Sequence, residues 1–277
     1  MRSPLRWARR DPPAAVAALT LLLLVAASLL IPLVSPYGYG VQNLEETFRP
    51  AGQGHWLGTD HLGRDILTRL AYGGRISFLI SFVAVAVHTV VGVVLGMASG
   101  FLAGRVDNVI MRVTDVFLVF PPLLFLILIT GVLGSSLINI IIALAAVGWA
   151  GMARQVRAEA LSLREREFVA AARALGATDR RILVRHVLSN IATLALVRAS
   201  LDVGPVILSE ATLSFLGIGI QPPTPSWGVM IADGFAHLRT YPYLTVIPSA
   251  VLSIAILALT FVGEGIAEAL DPRWRRR

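Results

Sequence analysis

The sequence predicts an all-α, polytopic membrane protein, and three observations predict it. The 277 residues are 56% hydrophobic and only 15% charged, with a mean hydropathy of +0.73, a balance outside the range of ordinary soluble domains. Apolar runs of spanning length recur along the whole chain, and no charged stretch is long enough to fold as a separate globular domain. The formal net charge is +7, but its Arg residues sit in short segments between apolar runs. There they report membrane topology rather than a surface for nucleic acid.

A helix crosses a bilayer core with about 20 apolar residues, because its backbone must satisfy its own hydrogen bonds there. About six runs meet that requirement: 14–34, 77–103, 110–132, 137–153, 191–216 and 243–266. Arg2, Arg6, Arg9 and Arg10 precede the first run as they would in a signal peptide. The run from Ala14 to Val34 exceeds the about 7–15 apolar residues of such a signal, however, so it reads as an uncleaved helix. In the second, Gly92, Gly96, Gly100 and Gly104 repeat every four residues and predict one helix face packed closely on a neighbour. His88 in the same run either hydrogen-bonds a neighbouring helix or takes part in a pathway or metal site. Pro121-Pro122 predicts a kink in the third run.

Charges inside a span are costly and invite a functional reading, and the fifth run carries Arg198, Asp202 and Glu210. Arg198 and Asp202, spaced i, i+4, either neutralise each other or line a polar translocation path, to which Glu210 would also belong. Glu264 stands between Gly263 and Gly265 at the end of the sixth run. Residues 1–76 form a tail, a first helix and an outer loop, and residues 77–277 form the core domain.

With the amino terminus inside, 18 of the 24 Arg fall on the cytoplasmic side and 5 on the outer side, with Arg198 in a span. Both termini are therefore expected in the cytoplasm. In the outer loop, His55, Asp60, His61 and Asp65 admit a metal reading, but their spacing fits no standard site. Turns at Gly58, Gly63, Gly73 and Gly74, with Asp side chains capping backbone amides, fit better, so no metal site is predicted. The segment Gln221–Gly228 holds Pro222, Pro223 and Pro225 and cannot be regular helix. It predicts a rigid outer loop with Trp227 as an interfacial anchor.

Several chemistries are excluded outright. The chain has no Lys and no Cys, hence no phosphate-binding P-loop, Schiff base, thiolate nucleophile or Cys-ligated zinc. No HExxH cluster lies in a span, and no inverted internal repeat supports a secondary transporter that works without an ATPase. A non-catalytic membrane protein that binds no cofactor of its own is the expectation.

The segment 153–190 is too polar to span yet helical in pattern. Phe168, Ala172 and Leu175 repeat at i, i+4, i+7, Gly176 interrupts, and Thr178 or Asp179 can cap a second set formed by Ile182, Leu183 and His186. Two short amphipathic helices broken at a glycine need a partner for their apolar stripe, either a membrane surface or a protein.

Ala170-Ala171-Ala172, then Gly176 and, twelve residues on, Leu188 resemble the EAA loop of ABC importer permeases, the element that docks into a cleft of the ATPase subunit. That consensus places Glu where this chain has Ala170 and Pro where it has Ser189. The blocks GTDHLGRDILTRLAYGGRISF (58–78) and ILSEATLSFLGIGIQPPTPSWGVMIADG (207–234) are similar to blocks of the second, C-type permease subunit of the dipeptide, oligopeptide and nickel family. The resemblance implies type I permease architecture in a bacterial cytoplasmic (inner) membrane. It implies as partners a homologous second permease, two ATP-binding subunits that hold ATP and Mg, and an extracytoplasmic substrate-binding protein. It also implies that Glu167, Phe168, Ala171, Ala172, Arg173, Leu175, Gly176, Ala177, Arg181 and His186 couple to the ATPase. The cargo would be di- or oligopeptides, with nickel or another small solute as the alternative.

Overall fold

The computed structural model describes residues 12–52 and 54–270, and among them the chain is helical with no extended strand. Arg2, Arg6, Arg9, Arg10, Arg273, Arg275, Arg276 and Arg277, on which much of the predicted orientation rests, lie outside the described residues. Helix α1 (Pro12–Val34) leads through a long connection to α2 (Ile66–Leu102), α3 (Gly104–Val119) and α4 (Pro122–Leu133). Then come α5 (Leu137–Arg164), α6 (Glu167–Ala174), α7 (Asp179–Ile182), a π-helical stretch Leu183–Val187 and α8 (Leu188–Phe215). Helices α9 (Trp227–Phe235) and α10 (Tyr243–Leu270) follow.

Among the described residues, five helical runs are long and apolar enough to cross a membrane: α1, α2, α5, the run Asp179–Phe215 and α10. A sixth exists if α3 and α4, bent by 97° at their junction, count as one broken span. The expected kink is thus a near-right-angle turn. Phe120 and Pro121 take extended backbone, and Pro122 opens α4, where its missing N–H costs nothing.

Helix α2 starts at Ile66 rather than at 77 because Asp65 caps it, its carboxylate accepting the Thr68 N–H and hydroxyl, both at 2.7 Å. Its 37 residues reach about 55 Å at 1.5 Å per residue, so its first turns stand clear of an about 30 Å hydrocarbon core. Gly73 and Gly74, expected in turns, are helical, and their bare faces admit Trp227 and Ser28.

The most extensive helix contact joins α2 to α5. A Cβ on Gly92 would lie 2.6 Å from Met152 Cβ, one on Gly96 2.6 Å from the Ala153 carbonyl, and one on Gly100 2.8 Å from Ala160 Cβ. Gly104 does not share this seam. It lies beyond the end of α2 with open space around it, because the chain turns at Ala103 and Gly104 with positive φ.

Helix α8 packs against α2, α5, α9 and α10. Trp227 corrects the interfacial reading: it is almost fully buried, donates Nε1–H to the Leu70 carbonyl at 3.0 Å and meets the edge of Phe78 at 5.3 Å. Gly228 rests directly on the Ala211 backbone and thereby draws α9 into the bundle.

Candidate functional site

At one end of the bundle, where α2 begins, four charges close on one another. Arg64 donates Nε–H to Asp60 at 2.6 Å and Nη2–H to Asp233 at 3.0 Å, and Arg69 lies 3.5 and 3.6 Å from the same two carboxylates. Asp60 also accepts the Leu62 and Arg64 N–H groups. Gly63 makes this loop possible: at φ +69° it lies against the Asn43 carbonyl, where any Cβ would clash. His55 joins Asp65 at 2.9 Å and Glu46 at 3.3 Å. Among the described residues no three His, Cys, Asp or Glu converge to hold a metal ion; the acidic groups cap backbone and pair with Arg.

At mid-bundle, Glu210 is fully buried and accepts the Ser77 hydroxyl from α2 and the Ser214 hydroxyl from its own helix, both at 2.8 Å. Ser214 in turn accepts the Ile220 N–H at 3.1 Å. Glu210 therefore ties α2, α8 and the 216–226 loop inside the subunit, and no part of it is exposed at the subunit surface. Arg198 and Asp202 are different. Arg198 Nε–H is 3.0 Å from Asp202, and the Arg198 side chain is 40% exposed. His88 Nε2 approaches Asp202 to 3.4 Å without hydrogen-bond geometry, and its ring presses on Gly148 of α5.

At the opposite end, α5 runs past the predicted 153 to Arg164, and the chain then folds into a hairpin of α6 and α7. Leu175 closes α6, and Gly176, at φ +80°, reverses the chain, with the Ala177 N–H returning to the Ala172 carbonyl at 3.0 Å. Thr178 caps α7, accepting the Arg181 N–H at 3.4 Å.

The hairpin divides its apolar residues in two. Val169, Ile182 and Val187 are fully buried with Phe101, Val156, Ala160 and Ile191, each worth about 1.5–3 kcal/mol of burial. Ala172 and Ala177 pack partly on the same cluster. Leu175 is 89% exposed at the tip, Phe168 is exposed beside His186, and Glu167, Ala171, Arg173 and Arg181 face outward. Arg173 lies over the Phe101 ring and 3.5 Å from Asp179.

Two positioning contacts have no counterpart in the sequence reading. Asp107 of α3 takes Arg157 of α5 through Nε and Nη2 at 2.5 and 2.6 Å, fixing α3 to the root of the hairpin. Asp233, in the second sequence block, anchors Arg64 and Arg69 of the first.

Residues 92–276 match the family of binding-protein-dependent transport system inner membrane components. The chain is 38% identical to the oligopeptide transport system permease protein OppC of Bacillus subtilis over 268 residues, covering 97% of this chain and 88% of that one. It is 38% identical to the dipeptide transport system permease protein DppC of the same organism, over 92% of this chain and 80% of that one. To the nickel transport system permease protein NikC of Escherichia coli it is 40% identical, over 91% of this chain and 92% of that one. A bundle of five or six spans, carrying a glycine-broken hairpin at one end and covered by these likenesses, belongs to the family of binding-protein-dependent transport system inner membrane components, the permease subunits of ABC importers.

Proposed function

We propose that this chain is the non-catalytic C-type permease subunit of an ATP-driven importer of di- or oligopeptides. Its hairpin seats in an ATPase subunit, two of which hold the ATP and Mg. A homologous permease supplies the other half of the route, and a substrate-binding protein delivers cargo from outside. Both termini lie in the cytoplasm, so the hairpin end faces inward and the 58–69 loop outward.

One observation carries this reading: Leu175 projects 89% exposed from a tip whose neighbours Val169 and Ile182 are fully buried. A leucine held out by an ordered turn costs about 25 cal/mol per Å2 of apolar surface until something covers it. A protein cleft suits a tip that is one residue wide. A membrane surface would call for a continuous apolar face, and Arg173, Asp179, Arg180 and Arg181 interrupt it. ATP-driven movement of the cleft then carries the hairpin and α5 with it, through the buried cluster and the Asp107–Arg157 pair.

Leu175→Asp tests this. The side chain has almost no intramolecular contact to lose, so the subunit's own stability should change by less than about 0.5 kcal/mol. Peptide-stimulated ATP turnover and co-purification of the ATPases should both be lost. Normal turnover in that variant would end the proposal. Nickel or another small solute is a second reading, motivated by the 40% identity to the nickel permease. Uptake of labelled dipeptide against nickel-63 by the assembled transporter separates the two.

A further inference from the structure

The surface of the bundle is uneven in polarity. Along α2 its open face is Leu79, Phe82, Val83, Val87, Val90, Val91 and Val94, and along α4 it is Leu123, Leu124, Leu128, Val132 and Leu133. Helix α8 differs. Arg198, Asp202, Pro205, Ser209, Thr212 and Leu216 follow at i, i+4, i+7, i+11, i+14 and i+18, which places them within about 40° of one line down the helix. Pro205 and Leu216 are exposed, and the Ser209 and Thr212 hydroxyls make their hydrogen bonds at the surface of the subunit.

The hydrogen-bonding sense of this stripe is set by the backbone. Ser209 donates its hydroxyl hydrogen to the Pro205 carbonyl at 2.9 Å, and Thr212 donates its own to the Leu208 carbonyl at 2.7 Å. Both oxygens are left with lone pairs and no spare hydrogen. Pro205 has no N–H, so the Leu201 carbonyl loses its helical donor on the same face. Asp202, its side chain 16% exposed, adds carboxylate oxygens. From Asp202 to Thr212 the stripe is a row of acceptors, with the Arg198 guanidinium at its hairpin end. Facing such a row to hydrocarbon is costly, since Asp or Arg at a helix centre costs about 2.5–3.5 kcal/mol. A row of acceptors fits a line of N–H donors.

We propose that Arg198, Asp202, Ser209 and Thr212 form this subunit's wall of the solute route, and that the wall takes the N–H groups of an extended peptide main chain. This rests on the peptide-importer reading above and adds to it the helix, the face and the hydrogen-bonding polarity of the route. Glu210, twelve residues along the same helix from Arg198, is excluded from the wall by its burial against Ser77.

The chain contains no Cys, so a single cysteine introduced into it is the only thiol on this subunit, and labelling is read on the subunit after it is separated from its partners. In the assembled transporter in native membranes, Ser209→Cys and Thr212→Cys are exposed to a charged methanethiosulfonate reagent. Val90→Cys on α2 and Leu128→Cys on α4 serve as apolar-face references. Both stripe positions should label, the references should not, and a transported dipeptide should slow labelling of the stripe. Stripe cysteines as silent as the references would show lipid or a dry contact with the second permease there, and would overturn the proposal. Labelling without protection by dipeptide would overturn the recognition of N–H groups. Both substitutions are close in size to the native side chain, and either position alone decides. Failure of the importer reading would appear separately, as a preparation without ATPase.

Discussion

The two ends of the bundle handle charge in opposite ways. At the loop end, Asp60, Arg64, Arg69 and Asp233 neutralise one another and the two Arg side chains are almost fully buried. The connection folds onto α9 and leaves little unpaired. At the hairpin end, Arg180, Arg181 and Arg185 stand exposed with no carboxylate ion pair among the described residues, and Leu175 projects into open space. The charges of the first end are paired internally. The second has the character of half an interface, as the proposed docking on an ATPase subunit requires. The loss expected from Leu175→Asp is therefore a loss of coupling, whereas changes at the loop end should act on the subunit's own folding.

The largest stability effect is expected at Arg64. Arg64→Ala leaves Asp60 and Asp233 without their closest partner in a site where the Arg side chain is only 4% exposed. Breaking a buried pair from one side costs about 3–5 kcal/mol. Arg69 remains 3.5–3.6 Å from both carboxylates, so the single change should fall near the lower end of that range and the Arg64→Ala, Arg69→Ala pair above it. Thermal unfolding of the purified complex in detergent measures this. A double variant no less stable than the single would show that Arg69 provides no cover.

The next effect concerns how the hairpin is held. Its fixed orientation depends on few residues, and Ile182 is fully buried among Val169, Val187 and Phe101. Ile182→Ala should cost about 2–4 kcal/mol locally. Its signature is faster amide exchange over 167–187 with little change over 58–69. Equal loosening at both ends would contradict the separation drawn between them.

These features were unequally visible in the sequence. Spans and the hairpin were legible because hydrophobic runs and 3.6-residue spacing are local signals; Gly176 was legible as the only glycine between two amphipathic sets. The four-residue glycine repeat marked the α2–α5 seam correctly through Gly100 and failed at Gly104, because periodicity does not report where a helix ends. Trp227 was misplaced for a different reason. The preference of Trp for interfaces is statistical, whereas its actual position follows from Gly73 and Gly74, whose bare faces meet its ring and which only the fold brings to it. The Arg64–Asp233 and Asp107–Arg157 contacts join residues 169 and 50 positions apart. No local pattern encodes them. Glu210 illustrates the same limit: as a sequence feature it matches Asp202, and only the contacts with Ser77 and Ser214 set its full burial apart from the part-exposed Asp202.

The smallest effect expected is a pH dependence confined to the loop end. Burial is the main cause holding the His61 imidazole below its usual pKa of 6.5; Arg64 and His237 push the same way, and Asp60 and Asp233 oppose them. The His237 ring stacks on it at 5.5 Å, and the Nδ1 of His61 is buried without a partner. A base whose pKa is lowered on folding takes up protons more readily when unfolded. Its stability contribution is therefore complete above about pH 6.5 and is lost as the pH falls through the lowered folded value. Between about pH 7.5 and about pH 5.5 the melting temperature should fall more for the native chain than for His61→Gln. Amide protection should weaken over 58–69 and stay level over 167–187. If both chains lost the same melting temperature, the loop end would owe its acid sensitivity to its carboxylates alone, and the half-buried His61 imidazole would have no part in how that end differs from the hairpin.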